Sequence, residues 1–350
     1  MRKAAAACVL ASVLAGALDA GAAEQEPAPQ RAMPPAWPYA QPQLSPGVMP
    51  PQVAATRPPA VAAGSVPAPA RPDAASVLLR AAGSRFQFTQ QEISNSYAPA
   101  DWFPEDHPPM PPTVGRGKPG IARACALCHL PDGRGRPENA PVQGLAYDYI
   151  VQQLHDFQQG LRRSAEPRKA NTPEMEGLAR TLDEGEIRDA ARYFSSMRAA
   201  PVVRVVETAD IPAMRIQGEI YYPAADGRTE PIGVRIIETP EDAEQVQVRN
   251  PRARYIAYVP VGSVARGARL AAGRSDELPA CASCHGAALQ GMGLAPAIAG
   301  RSPSYLARQM YDMKIGTRHG PNAALMRPLL AQLEDAAIVD VIAYVASLTP

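Results

Sequence analysis

The sequence predicts a mainly α-helical protein with two similar lobes in tandem, a short β-containing insertion between them and a disordered N-terminal tether. Three observations predict this arrangement. A Cys-x-x-Cys-His motif occurs twice, the residues that follow each motif recur in the same order with one shift of register, and segment 24–75 is rich in proline without helical or strand periodicity. The predicted boundaries are 24–75 for the tether, 76–200 for the first lobe, 201–260 for the insertion and 261–350 for the second lobe.

The composition excludes several classes of function. The 35 Lys and Arg residues nearly balance 34 Asp and Glu residues, so no net field attracts nucleic acid or an anionic membrane. Five cysteines in 350 residues are too few for a disulfide-dense scaffold. No apolar run reaches the ~18 residues needed to cross a bilayer, so we expect no transmembrane span in the mature chain.

The first 23 residues have the layout of a secretory signal peptide. Arg2 and Lys3 precede a short apolar stretch over 4–17, and small residues follow over 20–23. This pattern predicts export to the periplasm, with an uncleaved membrane anchor as the alternative. The tether that follows is predicted to be a solvated spacer; the alternative is a docking site for a partner around Trp37 and Tyr39.

The two cysteine motifs carry the chemistry. Two thiols at this spacing can add to the two vinyl groups of a haem, and the adjacent His can then bind the iron. Zinc needs four ligands in one site, and a redox-active thiol pair does not require a His in both copies. The motifs therefore predict two covalently attached haem c groups, held by Cys125, Cys128 and His129, and by Cys281, Cys284 and His285.

An internal repeat shows how far each haem unit extends. The second motif lies 156 positions after the first, and the offset becomes 151 towards the end of each unit. The matching pairs at the first offset include Tyr149 with Tyr305, Gln153 with Gln309, Asp156 with Asp312 and Arg162 with Arg318. The pairs at the second offset include Leu182 with Leu333 and Tyr193 with Tyr344.

The repeat also selects the sixth iron ligand. Thioether sulfur is a common distal partner of His-ligated haem iron, and Met175 and Met326 are the methionines that match at offset 151. Each follows a polar, irregular stretch, which predicts a flexible approach loop. The competing ligands His107, His155 and His319 do not recur between the units, so we expect them to be surface or packing residues.

Hydrophobic periodicity gives the coarse architecture. Apolar stripes predict helices over 147–159, 183–197, 264–271, 304–314 and 334–348. Gly267 is placed to allow close packing against the last helix near Tyr344. The insertion contains β-branched and aromatic runs, RVVE, GEIYY, VRIIE and RYIAYV, which predict a few short strands.

With these motifs the chain resembles the tandem diheme class I cytochromes c, and is most similar to cytochrome c4-like periplasmic carriers. The resemblance covers about 123–197 and 261–348, including GLAYDYIVQQLHDFQQGLRR and GRSPSYLARQMYDMKIGTRHG. It implies electron transfer between redox proteins such as a dehydrogenase, an oxidase or another cytochrome.

A carrier without catalytic residues is favoured because His and Met together fill both axial positions of each iron. Two alternatives remain open. The chain could be the haem subunit of a periplasmic dehydrogenase, or it could be a diheme peroxidase in which one iron opens to bind peroxide.

Because two complete motifs are present, we expect the mature chain to carry two haems that survive denaturation and acid extraction. Pyridine haemochrome absorbance and intact mass would measure this stoichiometry. A count of one haem, or none, would contradict the interpretation of both motifs.

Overall fold

The computed structural model describes residues 33–42, 77–273 and 278–350. The predicted signal peptide over 1–23 and most of the predicted tether lie outside these residues. Among the helices of the described ranges, none is both long enough and apolar enough to cross a membrane.

The first lobe is built from helices around an apolar cluster that includes Tyr149, Leu154, Ile187 and Phe194. Helix formation at its C-terminal end follows from a capping box, in which Asp183 accepts from the Glu186 amide and Glu186 accepts from the Asp183 amide. The elements are β1 (Leu78–Leu79), β2 (Phe88–Thr89), α1 (Gln90–Ile93), α2 (Pro112–Gly115), α3 (Cys125–His129), α4 (Tyr147–Gln158), α5 (Asn171–Ala179) and α6 (Glu184–Ser195), with a 3-10 turn at Pro104–Asp106.

The insertion contains seven short strands, three of which lie outside the four predicted runs RVVE, GEIYY, VRIIE and RYIAYV. The strands are β3 (Val203–Glu207), β4 (Asp210–Pro212), β5 (Met214–Gln217), β6 (Ile220–Pro223), β7 (Thr229–Pro231), β8 (Ile237–Pro240) and β9 (Tyr255–Val259), with α7 (Ala243–Gln247) before the last strand. β9 pairs in parallel with β3 and antiparallel with β8, while β4–β7 and β5–β6 form antiparallel pairs.

The insertion is hydrogen-bonded to both lobes. Trp102 in the first lobe donates to the Val248 carbonyl at 2.8 Å, and Ser302 in the second lobe donates to the buried Glu238 carboxylate at 2.7 Å. The described residues between Met33 and Pro350 form one compact unit.

The second lobe repeats the helical plan of the first. Its elements are α8 (Ser263–Ala271), α9 (Ala282–His285), α10 (Pro303–Ile315), α11 (Arg327–Ala331) and α12 (Asp335–Ser347), with a 3-10 turn at Ala323–Leu325. The stripes that predicted helices over 147–159, 183–197, 264–271, 304–314 and 334–348 correspond to α4, α6, α8, α10 and α12.

Helices α8 and α12 pack at very short range because Gly267 has no side chain. A Cβ placed on Gly267 would lie 1.9 Å from the Asp340 carbonyl oxygen and 2.8 Å from Tyr344 Cβ. The predicted close approach near Tyr344 is therefore present. Arg266 strengthens the same contact through two 2.8 Å bonds to the Asp340 carboxylate.

One part of the predicted spacer is folded. Residues 33–42, here called the strap, carry a 3-10 turn at Trp37–Tyr39, and the Trp37 and Tyr39 side chains are only 6% and 1% exposed. Trp37 packs with Ile211 of the insertion and Tyr311 of α10. The expectation of a solvated spacer is wrong for the strap, because two aromatic side chains bury enough apolar surface to hold a short segment that has no periodicity of its own.

Substituting Gly267→Ala should destabilise the protein by about 1–3 kcal/mol, because the new methyl group overpacks the α8–α12 contact. Thermal unfolding measures the loss. Gly177→Ala in α5 is the control, since a Cβ there meets nothing within 4 Å and should stabilise the helix by up to ~1 kcal/mol. Equal melting temperatures for the two variants would contradict the close packing.

Candidate functional site

The cysteine motifs lie on short helices in both lobes. Cys125, Cys128 and His129 belong to α3, whereas Cys284 and His285 belong to α9 and Cys281 is its N-cap residue. Side chains three positions apart share a helix face, so the two thiols of each motif point to one side.

The two motif histidines have the same kind of backbone partner in both lobes. His129 Nδ1 lies 2.8 Å from the Ala140 carbonyl oxygen, and His285 Nδ1 lies 2.8 Å from the Pro296 carbonyl oxygen. A carbonyl only accepts, so Nδ1 carries the proton and Nε2 keeps its lone pair for a metal. Burial lowers the pKa of both imidazoles, which favours this neutral form.

The thiols are unlike those of a redox-active pair. Burial raises the pKa of Cys125 to about 12, and it raises the pKa of Cys128 and of Cys281 as well. Thiol–disulfide catalysts instead lower the pKa of the attacking cysteine.

A cavity in the first lobe brings together the four residues that the sequence assigned to the first haem. Cys125, Cys128, His129 and Met175 all line it, and about 1190 Å³ of space there is free of protein atoms, part of it open to solvent. Its walls are apolar over a large part, with Leu145, Tyr149, Ile150, Leu154, Phe157 and Leu178. A flat apolar cofactor with polar groups at one edge fits such a cavity.

Met175 reaches this cavity from a helix. It lies in the middle of α5, so the expectation of an irregular approach loop is wrong for the first lobe. Pro173 does not prevent the helix, because it lies in the first turn, where its missing amide has no intrahelical partner to lose. Glu174 in the same turn favours the helix dipole.

In the second lobe the corresponding residues lie in two apolar clusters. Cys281 packs with the cluster around Leu289 and Val345, and Met326, at the start of α11, packs with the cluster around Tyr311 and Leu330. Leu306 contacts both clusters. The four residues assigned to the first haem therefore line one cavity. Of those assigned to the second haem, Cys281 and Met326 are connected, among the described residues, through the packing of their two clusters.

A hydrogen-bond network joins the lobes between their repeated helices. Arg162 of the first lobe donates to Tyr305 Oη at 3.1 Å and to Gln309 Oε1 at 2.9 Å, both on α10 of the second lobe. It also donates to Gln153 Oε1 at 2.9 Å within its own lobe, and its guanidinium stacks on Phe157.

The same bonds recur with the lobes exchanged. Arg318 of the second lobe donates to Tyr149 Oη at 3.0 Å and to Gln153 Oε1 at 2.8 Å on α4 of the first lobe, and to Gln309 Oε1 at 2.9 Å within its own. A backbone bridge between Arg162 and Arg318 lies at the centre. The repeat is thus an approximate twofold symmetry of the contact between lobes.

Three buried guanidiniums at this contact have uncharged hydrogen-bond partners. Arg162 and Arg318 bond to tyrosine and glutamine oxygens, and Arg301 donates to the Gln143 carbonyl at 2.8 Å. Within the described residues, Arg318 Nε and two nitrogens of Arg301 have no hydrogen-bond partner. Buried cations require anionic partners, and a haem brings two carboxylate groups. The donor set therefore fits haem.

The sequence did not reveal the role of this network. Tyr149, Gln153 and Arg162 stood out as repeat matches, but their pattern did not show that they meet their counterparts across the lobes. The signal that pointed to it was that both repeats carry the same polar residues at buried positions within an otherwise apolar helical stripe.

The competing histidines have protein partners. His155 Nε2 lies 2.9 Å from Glu184 Oε1, and His107 is held between Asp101 and the Tyr193 hydroxyl. The His319 amide donates to the Leu161 carbonyl across the lobe contact. These three histidines lie outside the lining of the cavity that contains His129.

Comparison with known proteins gives a consistent set of similarities. A family model described as Cytochrome c matches residues 264–349. Cytochrome c4 of Pseudomonas aeruginosa is 25% identical over 241 residues, which cover 67% of this chain and 90% of that protein. Cytochrome c-554(548) of Halomonas halodenitrificans is 40% identical over 80 residues, which cover 22% of this chain and 94% of that protein.

A third relative has a named redox role. The thiosulfate dehydrogenase electron acceptor of Thiomonas intermedia is 24% identical over 228 residues, which cover 64% of this chain and 78% of that protein.

The family match and the cytochrome c4 relatives confirm the prediction of two covalently bound haem c groups.

Substituting Arg318→Gln should lower the midpoint potentials of both haems, because a buried positive charge between the lobes stabilises the reduced state of each. A tenfold change in the ratio of reduced to oxidised protein corresponds to ~59 mV, and we expect a change of roughly this size. Redox titration with optical detection measures it. Arg228→Gln, at an exposed position of the insertion, should leave both potentials unchanged; unchanged potentials in Arg318→Gln would contradict this role.

Proposed function

We propose that this chain, which belongs to the cytochrome c family as a diheme, cytochrome c4-like member, is an electron carrier exported to the periplasm with two His/Met-ligated haems. The observation that carries this proposal is the first-lobe cavity, which Cys125, Cys128, His129 and Met175 line together. Export rests on the signal-peptide pattern over 1–23, which lies outside the described residues.

The site residues divide by role. Cys125 and Cys128 would hold the first haem through thioether bonds, with His129 Nε2 and Met175 sulfur as axial ligands. The repeat assigns Cys281, Cys284, His285 and Met326 to the same roles in the second lobe. The carbonyls of Ala140 and Pro296 orient the two imidazoles through their Nδ1 protons.

Each bound haem supplies an iron centre that takes up and releases one electron. The protein tunes this couple through its own groups. Thioether sulfur from Met raises the reduction potential relative to nitrogen ligands, and the apolar walls of the cavity limit access of water. The Nδ1 hydrogen bond increases the basicity of the imidazole as a ligand.

A carrier fits this ligand set better than an enzyme does. An iron held by both an imidazole and a thioether would have no coordination position left for peroxide or another substrate. A diheme peroxidase would need one such open position, and the repeat places a methionine in both units.

Electron donors and acceptors are proposed to be other redox proteins, such as a dehydrogenase, an oxidase or another cytochrome. The Thiomonas intermedia relative, by its name an acceptor for thiosulfate dehydrogenase, supports a dehydrogenase as the donor. The interlocked network of Arg162 and Arg318 holds the lobes in a fixed orientation, which favours transfer of electrons between the two sites as well as to partners.

Single methionine variants test the ligand set. Met175→Ala should open only the first haem and Met326→Ala only the second; each variant should lose half of the weak Met–Fe(III) absorption at the red end of the ferric spectrum. The open haem should fall in potential and gain peroxide reactivity. Ferric spectra, redox titration and peroxide turnover measure the three effects.

Met292→Ala is the matched control, because Met292 is 56% exposed in the second lobe and has no counterpart in the repeat. This variant should keep the ferric spectrum and the two potentials of the parent, and like the parent it should not react with peroxide. A Met175→Ala or Met326→Ala variant that also kept them would show that another group is the ligand, and peroxide turnover by the parent would favour the peroxidase.

A further inference from the structure

The strap is seated where all three parts of the chain meet. Trp37 belongs to an apolar cluster with residues of the insertion and of α10, and Arg168 of the first lobe donates to the Pro42 carbonyl at 2.8 Å. A segment with only three residues in a 3-10 turn is thus fixed by contacts with the first lobe, the insertion and the second lobe.

Two charged side chains in the wall of the first cavity bond directly to the strap. The Tyr39 hydroxyl donates to Asp312 Oδ1 at 3.0 Å, and Arg308 Nη1 donates to the Pro38 carbonyl at 2.8 Å. Both Asp312 and Arg308 belong to α10 of the second lobe, yet both line the cavity that contains His129.

A third charged residue of the wall connects to the strap through the insertion. Lys169 is buried, lines the same cavity and pairs with the Glu219 carboxylate. Gln41 of the strap donates to the other oxygen of Glu219 at 3.2 Å. Segment 38–41 therefore holds these three charged residues of the wall, either directly or through the Glu219 carboxylate.

We infer that the strap is a positioning element that sets the reduction potential of the first haem by fixing the charges of Lys169, Arg308 and Asp312 along its cavity. The inference rests on the proposed function, because it requires a haem in that cavity. Fixed charges in a buried site act on the iron with little screening, and hydrogen bonds to such groups are a recognised means of tuning haem potentials.

The strap acts mainly on the first haem because the repeat is broken at these positions. Asp156, the counterpart of Asp312, accepts from Gln152 and Gln153 of its own helix, at 2.8 Å and 3.0 Å. Gln152 is also the counterpart of Arg308 at offset 156, so α4 lacks the cation that α10 carries at this position. The surroundings of the two sites consequently differ in charge, although the repeat assigns the same axial ligands to both.

The direction of the effect follows from the Tyr39 hydrogen bond. Burial raises the pKa of Asp312 to about 6, and donation by the Ala165 amide and the Tyr39 hydroxyl opposes that rise. Arg308 and Arg318 are the cations that face the same carboxyl. Without the hydroxyl, the pKa of Asp312 rises further and its carboxyl is less ionised near neutral pH. Less negative charge then lies along the first cavity, which favours the reduced haem.

Tyr39→Phe tests the inference with the strap still seated, because the aromatic ring remains. At pH 7 the midpoint potential of the first haem should rise, by up to about a tenfold change in the ratio of reduced to oxidised haem (~59 mV), and that of the second should move less, because Asp312 lines the first cavity. Redox titration resolves the two couples, and the couple displaced by Met175→Ala is assigned to the first haem.

Tyr311→Phe is the matched control. Tyr311 donates to Asp335 Oδ1 at 3.0 Å, so this bond matches the Tyr39–Asp312 bond in length and chemistry. Neither Tyr311 nor Asp335 lines the first cavity. This variant should leave the potential of the first haem at the parent value. Gln41→Ala, which releases one oxygen of Glu219, is a second probe and should also move mainly the first potential.

Two outcomes would overturn the inference: a first-haem potential that stays at the parent value in both Tyr39→Phe and Gln41→Ala, or one that moves as far in Tyr311→Phe. The haem count and the Met–Fe(III) band are recorded on the same samples. A parent protein that lacked two haems or that band would contradict the proposed function, whereas parent-like spectra with unmoved potentials would contradict the strap alone.

Discussion

The reciprocal hydrogen bonds of Arg162 and Arg318 across the contact between the lobes are the constraint on which the arrangement of the protein depends. Each guanidinium is buried and bonds to a tyrosine and a glutamine of the opposite lobe, so neither lobe can rotate without breaking bonds on both sides. Their hydrogen-bond partners are uncharged, although Asp312 faces Arg318, and burying a cation is costly when its charge is only partly compensated. The two carboxylate groups that a haem brings would lower this cost.

Around this symmetric contact the chain is asymmetric. The insertion and the strap lie against α10 of the second lobe, and through Glu219, Arg308 and Asp312 they reach the wall of the first cavity. The first site is thus completed by segments distant in the chain. An approximate twofold repeat with additions on one side therefore gives the two haem sites different surroundings.

Periodicity anticipated five of the longer helices, since α4, α6, α8, α10 and α12 each carry a local apolar stripe. The Gly267 contact was also predictable, because a glycine inside a helix opposite an aromatic position indicates close packing. Local patterns failed for Met175, where a polar stretch with Pro173 is helical, and for the strap. Trp37 and Tyr39 are buried by distant parts of the chain, and no signal within the tether identifies those partners.

By itself the sequence determined the covalent chemistry of this protein: the number of haems and their attachment follow from residues adjacent in the chain, because the thiols and the imidazole of each motif act within one turn of helix. The tertiary structure decided what surrounds those groups. Which charges face the first cavity, and which side chains cross between the lobes, depend on residues far apart in the chain, such as Tyr39 with Asp312 and Arg162 with Tyr305. Such pairings depend on how the lobes dock, and local sequence patterns carry no information about that docking.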